Sequence, residues 1–205
     1  MRIIQEASDK RVVPLRLDIT DNSQITDAVA RLDRLDILIN NAGIANYDDL
    51  SSAGAIEKHL AVNLLGPYEM TRACLPLLKQ SKGSVVNNLS IVALAPMPLI
   101  PAYSISKAAA LNMTQSLRAL LKSQNVNVHG VFIGPVDTDM NKGLDIPKET
   151  PENAAKGIFD GLERGEEDIF PDPVSAQLAD GWRNGVAKAF EMQNSAFMAS
   201  LNAAK

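Results

Sequence analysis

Apolar and polar side chains alternate from Arg11 to Asp18, with β-branched residues among them, and this period of two predicts a strand. Asp21, Asn22 and Ser23 then offer helix-capping oxygens. Ile25, Ala28, Val29 and Leu32 follow at i, i+3, i+4 and i+7, one apolar stripe of a helix. Asp36 to Asn40 is a short apolar run that ends in a turn containing Gly43, the pattern of a strand buried on both faces. Strand, helix, strand at this spacing is a βαβ unit, so parallel pairing through a right-handed crossover is expected.

The same alternation continues. Helical spacing runs from Ser52 to Asn63, and a second helix is expected beyond Gly66 and Pro67 as far as Lys82. Gly83 to Leu89 reads as a strand, Tyr103 to Ser123 as a long helix free of Gly and Pro, and Asn127 to Ile133 as another strand closed by Gly134 and Pro135. Thr150 to Arg164 predicts a helix with Thr150 as its cap and Pro151 at the first turn. Asp168 to Pro171 predicts a short strand, whose proline suits only an edge or an end. From Val174 onward the pattern is a polar helix carrying Trp182 and Phe190, fraying after about Ser195. Strands alternating with helices imply an α/β class: a doubly wound parallel sheet with helices on both faces, in one domain over 1–205 whose helical tail spans 174–205.

Composition narrows the function classes. The chain has 205 residues, 20 basic and 24 acidic, for a net charge of −4, and 46% are hydrophobic. No basic run offers a footprint for nucleic acid. The most apolar stretch, Ile91 to Ala102, is interrupted by Pro96, Pro98 and Pro101 and falls short of the roughly 20 residues a spanning helix needs. Residues 1–10 are too polar for a signal-peptide core. Cys74 is the single cysteine, in a predicted helix where it reads as a small buried hydrophobe. A cytoplasmic protein is expected, and His59 and His129 stand apart from any acidic cluster, so no metal is expected.

Tyr103-Ser-Ile-Ser-Lys107 places a phenol and an ammonium at i and i+4, on one helix face. A phenol titrates near pH 10 and serves as a base near neutrality only if a cation lowers its pKa. Alone, such a pair is an ordinary polar helix surface. Here it has company. Ser90 ends the strand Val85 to Leu89, where open α/β sheets bind ligands beyond the carboxyl ends of their strands. Asn40-Asn41-Ala42-Gly43 ends another strand with residues small enough for close backbone approach, and Asn63 follows in Ala61-Val62-Asn63.

With these motifs, and with Leu17-Asp18-Ile19-Thr20 and Gly134-Pro135-Val136-Asp137-Thr138, the chain from about residue 11 to 140 resembles the short-chain dehydrogenase/reductase superfamily in its single-domain, Rossmann-like form. The resemblance implies an NAD- or NADP-dependent oxidoreductase that interconverts an alcohol and a carbonyl. It implies Tyr103 as general acid or base, Lys107 lowering its pKa and holding the nicotinamide ribose, Ser90 on the substrate oxygen, and Asn63 holding a water of a proton relay. It further implies cofactor contacts from Asp18, Ile19, Asn41, Ala42, Gly43, Gly134, Pro135, Val136 and Thr138, a small-molecule substrate and a homo-oligomer. Pro96, Met97, Leu99 and Ile100 suggest an apolar wall for that substrate.

The sequence departs from the family pattern in three places. The glycine-rich turn that cradles the pyrophosphate is not among these residues, and the segment that would hold it lies before the strand at Val12 to Leu17. The edges that its strands would cover are then expected to stand unpaired, or the strands at 12–17 and 37–40 to close up as neighbours, with poor dinucleotide binding as the consequence. Ile133 and Leu89 also replace residues common in relatives, with effects on packing only. A second reading is therefore a catalytically impaired fragment or remnant that associates with a full-length paralogue through the helices Pro67–Lys82 and Tyr103–Ser123. A third is a binding protein that uses the pocket without redox chemistry.

Overall fold

The computed structural model describes residues 12–49 and 51–203. In chain order these form α1 (Asn22–Val29), β1 (Ile37–Asn40), α2 (Ala55–Leu60), a π-helical turn (Ala61–Leu65), α3 (Gly66–Ser81), β2 (Ser84–Asn88), α4 (Pro101–Leu121), β3 (Asn127–Val131), α5 (Pro151–Glu163), β4 (Asp168–Ile169), α6 (Pro173–Arg183) and α7 (Val186–Ala203). The four strands form one parallel sheet in the order β1-β2-β3-β4, with Ile37 opposite Ser84, Ser84 opposite Asn127, and Gly130 opposite Asp168.

Alternation across each strand assigns the two faces. Leu38 and Val85 point into a cluster with Cys74 and Leu78 of α3 and Leu121 of α4, to which Val29 of α1 adds. Val86, Val131 and Ile169 point the other way, toward Ile158 and Leu162 of α5. Leu89, Ala110, Leu111 and Phe132 form a third cluster closed by Phe170 and Trp182, where the Phe132 and Phe170 rings stack at 4.9 Å. Cys74 is buried, as its helical position predicts.

Several expectations fail for identifiable reasons. Residues 12–18 form no strand, because no described strand stands beside β1 on that side to take up their backbone groups. Instead the chain docks through Ile19 on α3: a Cβ at Gly66 would lie 2.7 Å from Ile19 Cδ1, so only glycine admits the contact. The two segments at 12–17 and 37–40 do not close up as neighbours. Nor is β1 buried on both faces, since Ile37 and Ile39 are 43% and 45% exposed while Leu38 and Asn40 are buried. The helices α3 and α4 cover one face, and no described element covers the other at β1. Leu32, expected in the α1 stripe, lies past the end of that helix and is exposed. The expected strand start at Arg11 lies outside the described residues.

Gly66 and Pro67 do not break the helix. Pro67 sits at the first turn of α3, where its missing N–H is no loss, and the π turn carries the chain straight through from α2, with Gly66 N–H donating to Ala61 O. Thr150 caps α5 as predicted, its hydroxyl accepting from Asn153 N–H at 3.2 Å. The strand at Asp168 to Pro171 shortens to two residues, at the sheet edge its proline requires. The tail is two helices rather than one: α6 starts on an Asp172 capping box and ends at Asn184, and α7 runs past Ser195 to Ala203. Trp182 packs on Phe132, whereas Phe190 is exposed.

Candidate active site

The carboxyl ends of β1 and β2 carry an asparagine doublet each, Asn40-Asn41 and Asn87-Asn88, with Asn40 opposite Asn87. Alternation sends one member of each doublet to either face. On the α3/α4 face Asn40 Nδ2 donates to Asn87 Oδ1 at 2.8 Å and to Thr71 Oγ1 at 3.2 Å, while Asn87 Nδ2 donates to Thr114 Oγ1 at 2.9 Å. All four side chains are buried, and this closed ladder pins both strand ends to both helices. On the other face Asn88 Nδ2 donates to Asn41 Oδ1 at 2.6 Å. There the ladder stops, and Asn88 Oδ1 has no partner among the described residues.

Lys107 reaches this strand end from α4. Its Nζ donates to Asn88 O at 2.7 Å and lies 5.7 Å from the centre of the Tyr103 ring, one helical turn away as the i, i+4 spacing demands. Lys107 is 7% exposed and has no carboxylate beside its ammonium among the described residues, and burial pulls its pKa down from 10.5 to about 8. Burial likewise pushes the Tyr103 phenol above its ordinary value, and the hydrogen bond with Ser90 counters this only in part. The lowering of the phenol's pKa expected from Lys107 does not appear here: the shift is upward, its cause is desolvation, and Ser90 alone opposes it.

Ser90 is buried at the start of a 3₁₀ turn, Ile91–Ala93, its hydroxyl also accepting from Val92 N–H at 3.3 Å. Asn63 lies in the π-helical turn, a local widening common at functional sites. Its carboxamide exchanges two 2.9 Å hydrogen bonds with the backbone of Ile44 and donates at 2.9 Å to Ser106 Oγ of α4. Both amide protons are thus engaged in tying the loop after Gly43 to α4. A Cβ at Gly43 would lie 3.2 Å from Asn63 Oδ1 and 3.8 Å from Lys107 Nζ, which makes that loop a close lining of the site.

The remaining predicted residues make their contacts elsewhere. Asp18 is tied to Thr20, whose hydroxyl donates at 2.7 Å and whose backbone N–H donates at 2.9 Å; the hydroxyl is the main reason its carboxyl titrates below the usual value. Gly134 N–H donates to Asp172 Oδ2 at 2.8 Å, Pro135 O accepts from Glu149 N–H, and Val136 bridges to Glu149. Thr138 is exposed and its hydroxyl bonds weakly within its own turn at 3.4 Å. Among the described residues no hydrogen bond joins this loop to Ser90, Tyr103 or Lys107.

Two residues escaped the sequence reading. Asn88 was legible only as the partner of the Asn40-Asn41 doublet, a signal that needs the strand register. His59 is buried, with Nδ1 against Ala55 O at 2.7 Å and Nε2 accepting from Asn46 N–H at 3.2 Å, and its ring meets Tyr103 edge-on at 6.5 Å. Its ring thus packs against the tyrosine.

The arrangement of a hydroxyl, a phenol and a buried ammonium around one strand end is suited to proton transfer at an oxygen. A match to known proteins agrees with it: residues 2–149 fit the model of the short chain dehydrogenase family. The chain belongs to the short chain dehydrogenases. A short chain dehydrogenase of Monascus ruber (citE) is 38% identical over 165 residues, 75% of this chain and 53% of the relative. The 3-oxoacyl-[acyl-carrier-protein] reductase FabG of Thermotoga maritima is 34% identical over 156 residues, covering 72% and 62%. The chain thus spans a little over half the length of the curated relatives it matches. Among solved structures, a short chain dehydrogenase from Burkholderia cenocepacia J2315 in complex with NADP superposes with a TM-score of 0.80 at 35% identity, over 85% of this chain and 77% of that one. Residues of this short chain dehydrogenase fit the nicotinamide half of such a dinucleotide: Asn88 Oδ1 is an acceptor in want of a donor, and Lys107 Nζ has protons beyond the one given to Asn88 O.

Proposed function

We propose that this chain is the catalytic part of an NAD- or NADP-dependent oxidoreductase that interconverts a carbonyl and an alcohol. The observation that carries the reading is the meeting of Ser90, Tyr103 and Lys107 at the carboxyl end of β2, with no carboxylate partner for the buried ammonium among the described residues. The cofactor, when bound, supplies or accepts the hydride. Ser90 donates a hydrogen bond to the substrate oxygen, and Tyr103 passes its proton to that oxygen as charge develops there. Lys107 stabilises the phenolate left behind and holds a ribose hydroxyl. Asn63 and His59 keep the loop and the phenol in place.

Asn41, Ala42, Gly43 and the 134–138 loop line the cofactor's path, with Asp18 and Ile19 toward its adenine end. The substrate is a small molecule with an apolar part facing Met97, Leu99 and Ile100, a segment held to α4 by Met97 N–H donating to Ser104 Oγ at 3.1 Å. We also propose a cytoplasmic homo-oligomer. Leu65 and Tyr68 near the start of α3, and Ile105 and Leu120 on α4, are exposed apolar residues that suit association of these helices. Among the described residues, no helix is long and apolar enough to cross a membrane.

The test is oxidation of NADPH and NADH against a panel of apolar ketones and aldehydes, with Tyr103→Phe as control. Turnover that depends on Tyr103 supports the reading; turnover unchanged in Tyr103→Phe, or none with any carbonyl, contradicts it.

A further inference from the structure

The two faces of the strand ends treat the same residue type differently. Asn40 and Asn87 on one face are closed off by Thr71 and Thr114. On the other face Asn88 is oriented by Asn41, which accepts its amide proton, and its side-chain oxygen is left buried and unpaired. Among the described residues it is the only buried side-chain nitrogen or oxygen without a partner. An amide oxygen buried without a donor is destabilising, and such a group calls for a physical explanation. A swap of the amide does not supply one, since it would set Asn88 oxygen against the Asn41 oxygen unless that amide turned too. Asn88 also gives its backbone carbonyl to Lys107, so its two oxygens mark one place: the first holds the ammonium in position and the second awaits a donor.

We propose that Asn88 is a positioning residue for the dinucleotide: its Oδ1 accepts a hydrogen bond from an uncharged donor on the nicotinamide–ribose half, a ribose hydroxyl or the carboxamide N–H. This rests on the oxidoreductase reading and adds to it a residue that acts on cofactor affinity without taking part in proton transfer. In the free protein Asn88 is a liability, and the bound cofactor removes it.

The test compares wild type, Asn88→Leu and Asn88→Asp by calorimetric titration with NADH and with ADP-ribose, and by thermal unfolding without ligand. Asn88→Leu is expected to bind NADH about tenfold more weakly, the effect of losing about 1.4 kcal/mol, while its melting temperature without ligand stays equal to or rises above that of wild type. Asn88→Asp keeps an acceptor and, with the Asn41 amide turned to donate to it, is expected to bind within about threefold of wild type, which also serves if the leucine variant fails to fold. Weakening with both ligands assigns the donor to the ribose, and weakening with NADH alone assigns it to the carboxamide. Unchanged affinity in Asn88→Leu overturns the proposal, leaving a water as the oxygen's partner. A lowered melting temperature with unchanged affinity makes Asn88 structural and overturns it as well. No NADH binding by wild type overturns the cofactor reading itself, and this inference with it.

Discussion

Helix α4 carries two buried cations, Lys107 near its start and Arg118 near its end, each 7% exposed, and the protein treats them in opposite ways. Burial pushes the Arg118 guanidinium down, but the carboxylates of Asp168, Glu191 and Glu167 more than reverse this, so its pKa is raised. Arg118 donates to Asp168 Oδ1 at 2.7 Å, to Glu191, and to the backbone carbonyls of Val128 and Glu167. Lys188 of α7 joins the same carboxylates, 2.7 Å from Asp168 Oδ2 and 3.1 Å from Glu191 Oε2, and Trp182 Nε1–H donates to Asp168 at 2.9 Å. Each charge in that cluster faces an opposite one, two cations against three carboxylates, and the cluster fastens α6 and α7 to α4 and β4. Lys107 has one backbone carbonyl and, among the described residues, no counter-charge. A matched buried charge is a structural fastening; an unmatched one is a cost that a ligand or a reaction must relieve.

The comparison can be broken in several places. Tyr103→Phe should lower turnover by about 10²–10⁴-fold, the range for loss of a general acid, with circular dichroism unchanged. Arg118→Met should leave Asp168 buried without its main counter-charge and cost about 3–5 kcal/mol in urea unfolding, with little effect on the kcat of the folded fraction. Lys107→Met should do the reverse, reducing activity severely while stabilising the protein.

That stabilisation has a defined pH window. The folded pKa of Lys107, about 8, lies below the ordinary 10.5, so between these values the unfolded chain binds more protons and stability rises with pH. The penalty of Lys107 is fully present below about pH 8 and is gone above about pH 10.5. The stability advantage of Lys107→Met over wild type should therefore be greatest at neutral pH, about 3 kcal/mol at most, and should vanish by pH 10.5. Subtracting the two proteins cancels Cys74, whose raised pKa acts with the opposite sign. Smallest of all, Trp182→Phe should remove one hydrogen bond to Asp168 and cost about 1.5–3 kcal/mol, without altering activity.

The sequence reading succeeded where local rules decide. The Thr150 cap with Pro151, the i, i+4 pair of Tyr103 and Lys107, and Ser90 past the end of an apolar strand were all legible, because each depends on neighbours in the chain. It failed where the answer lies across the fold. Residues 12–18 have strand composition, but a strand needs a partner edge and none is present among the described residues. Ile37 and Ile39 look buried by type, yet nothing described covers them. The Arg118 cluster joins residues far apart in sequence, so nothing along the chain announced it. The asparagine doublets show both limits: Asn40-Asn41 was visible as polar residues ending a strand, but only the register revealed Asn87-Asn88 opposite it, with one face closed and the other open.

The most direct measurement is an NMR titration of the lysine side-chain ¹³Cε signals in wild type and Lys107→Met, first alone and then saturated with NADPH. The account predicts one lysine titrating near pH 8 in the free protein, absent from Lys107→Met and shifted upward when the cofactor's hydroxyls solvate the ammonium. A Lys107 signal that titrates at the ordinary value near 10.4 in the free protein, or one that NADPH leaves unmoved, would contradict it.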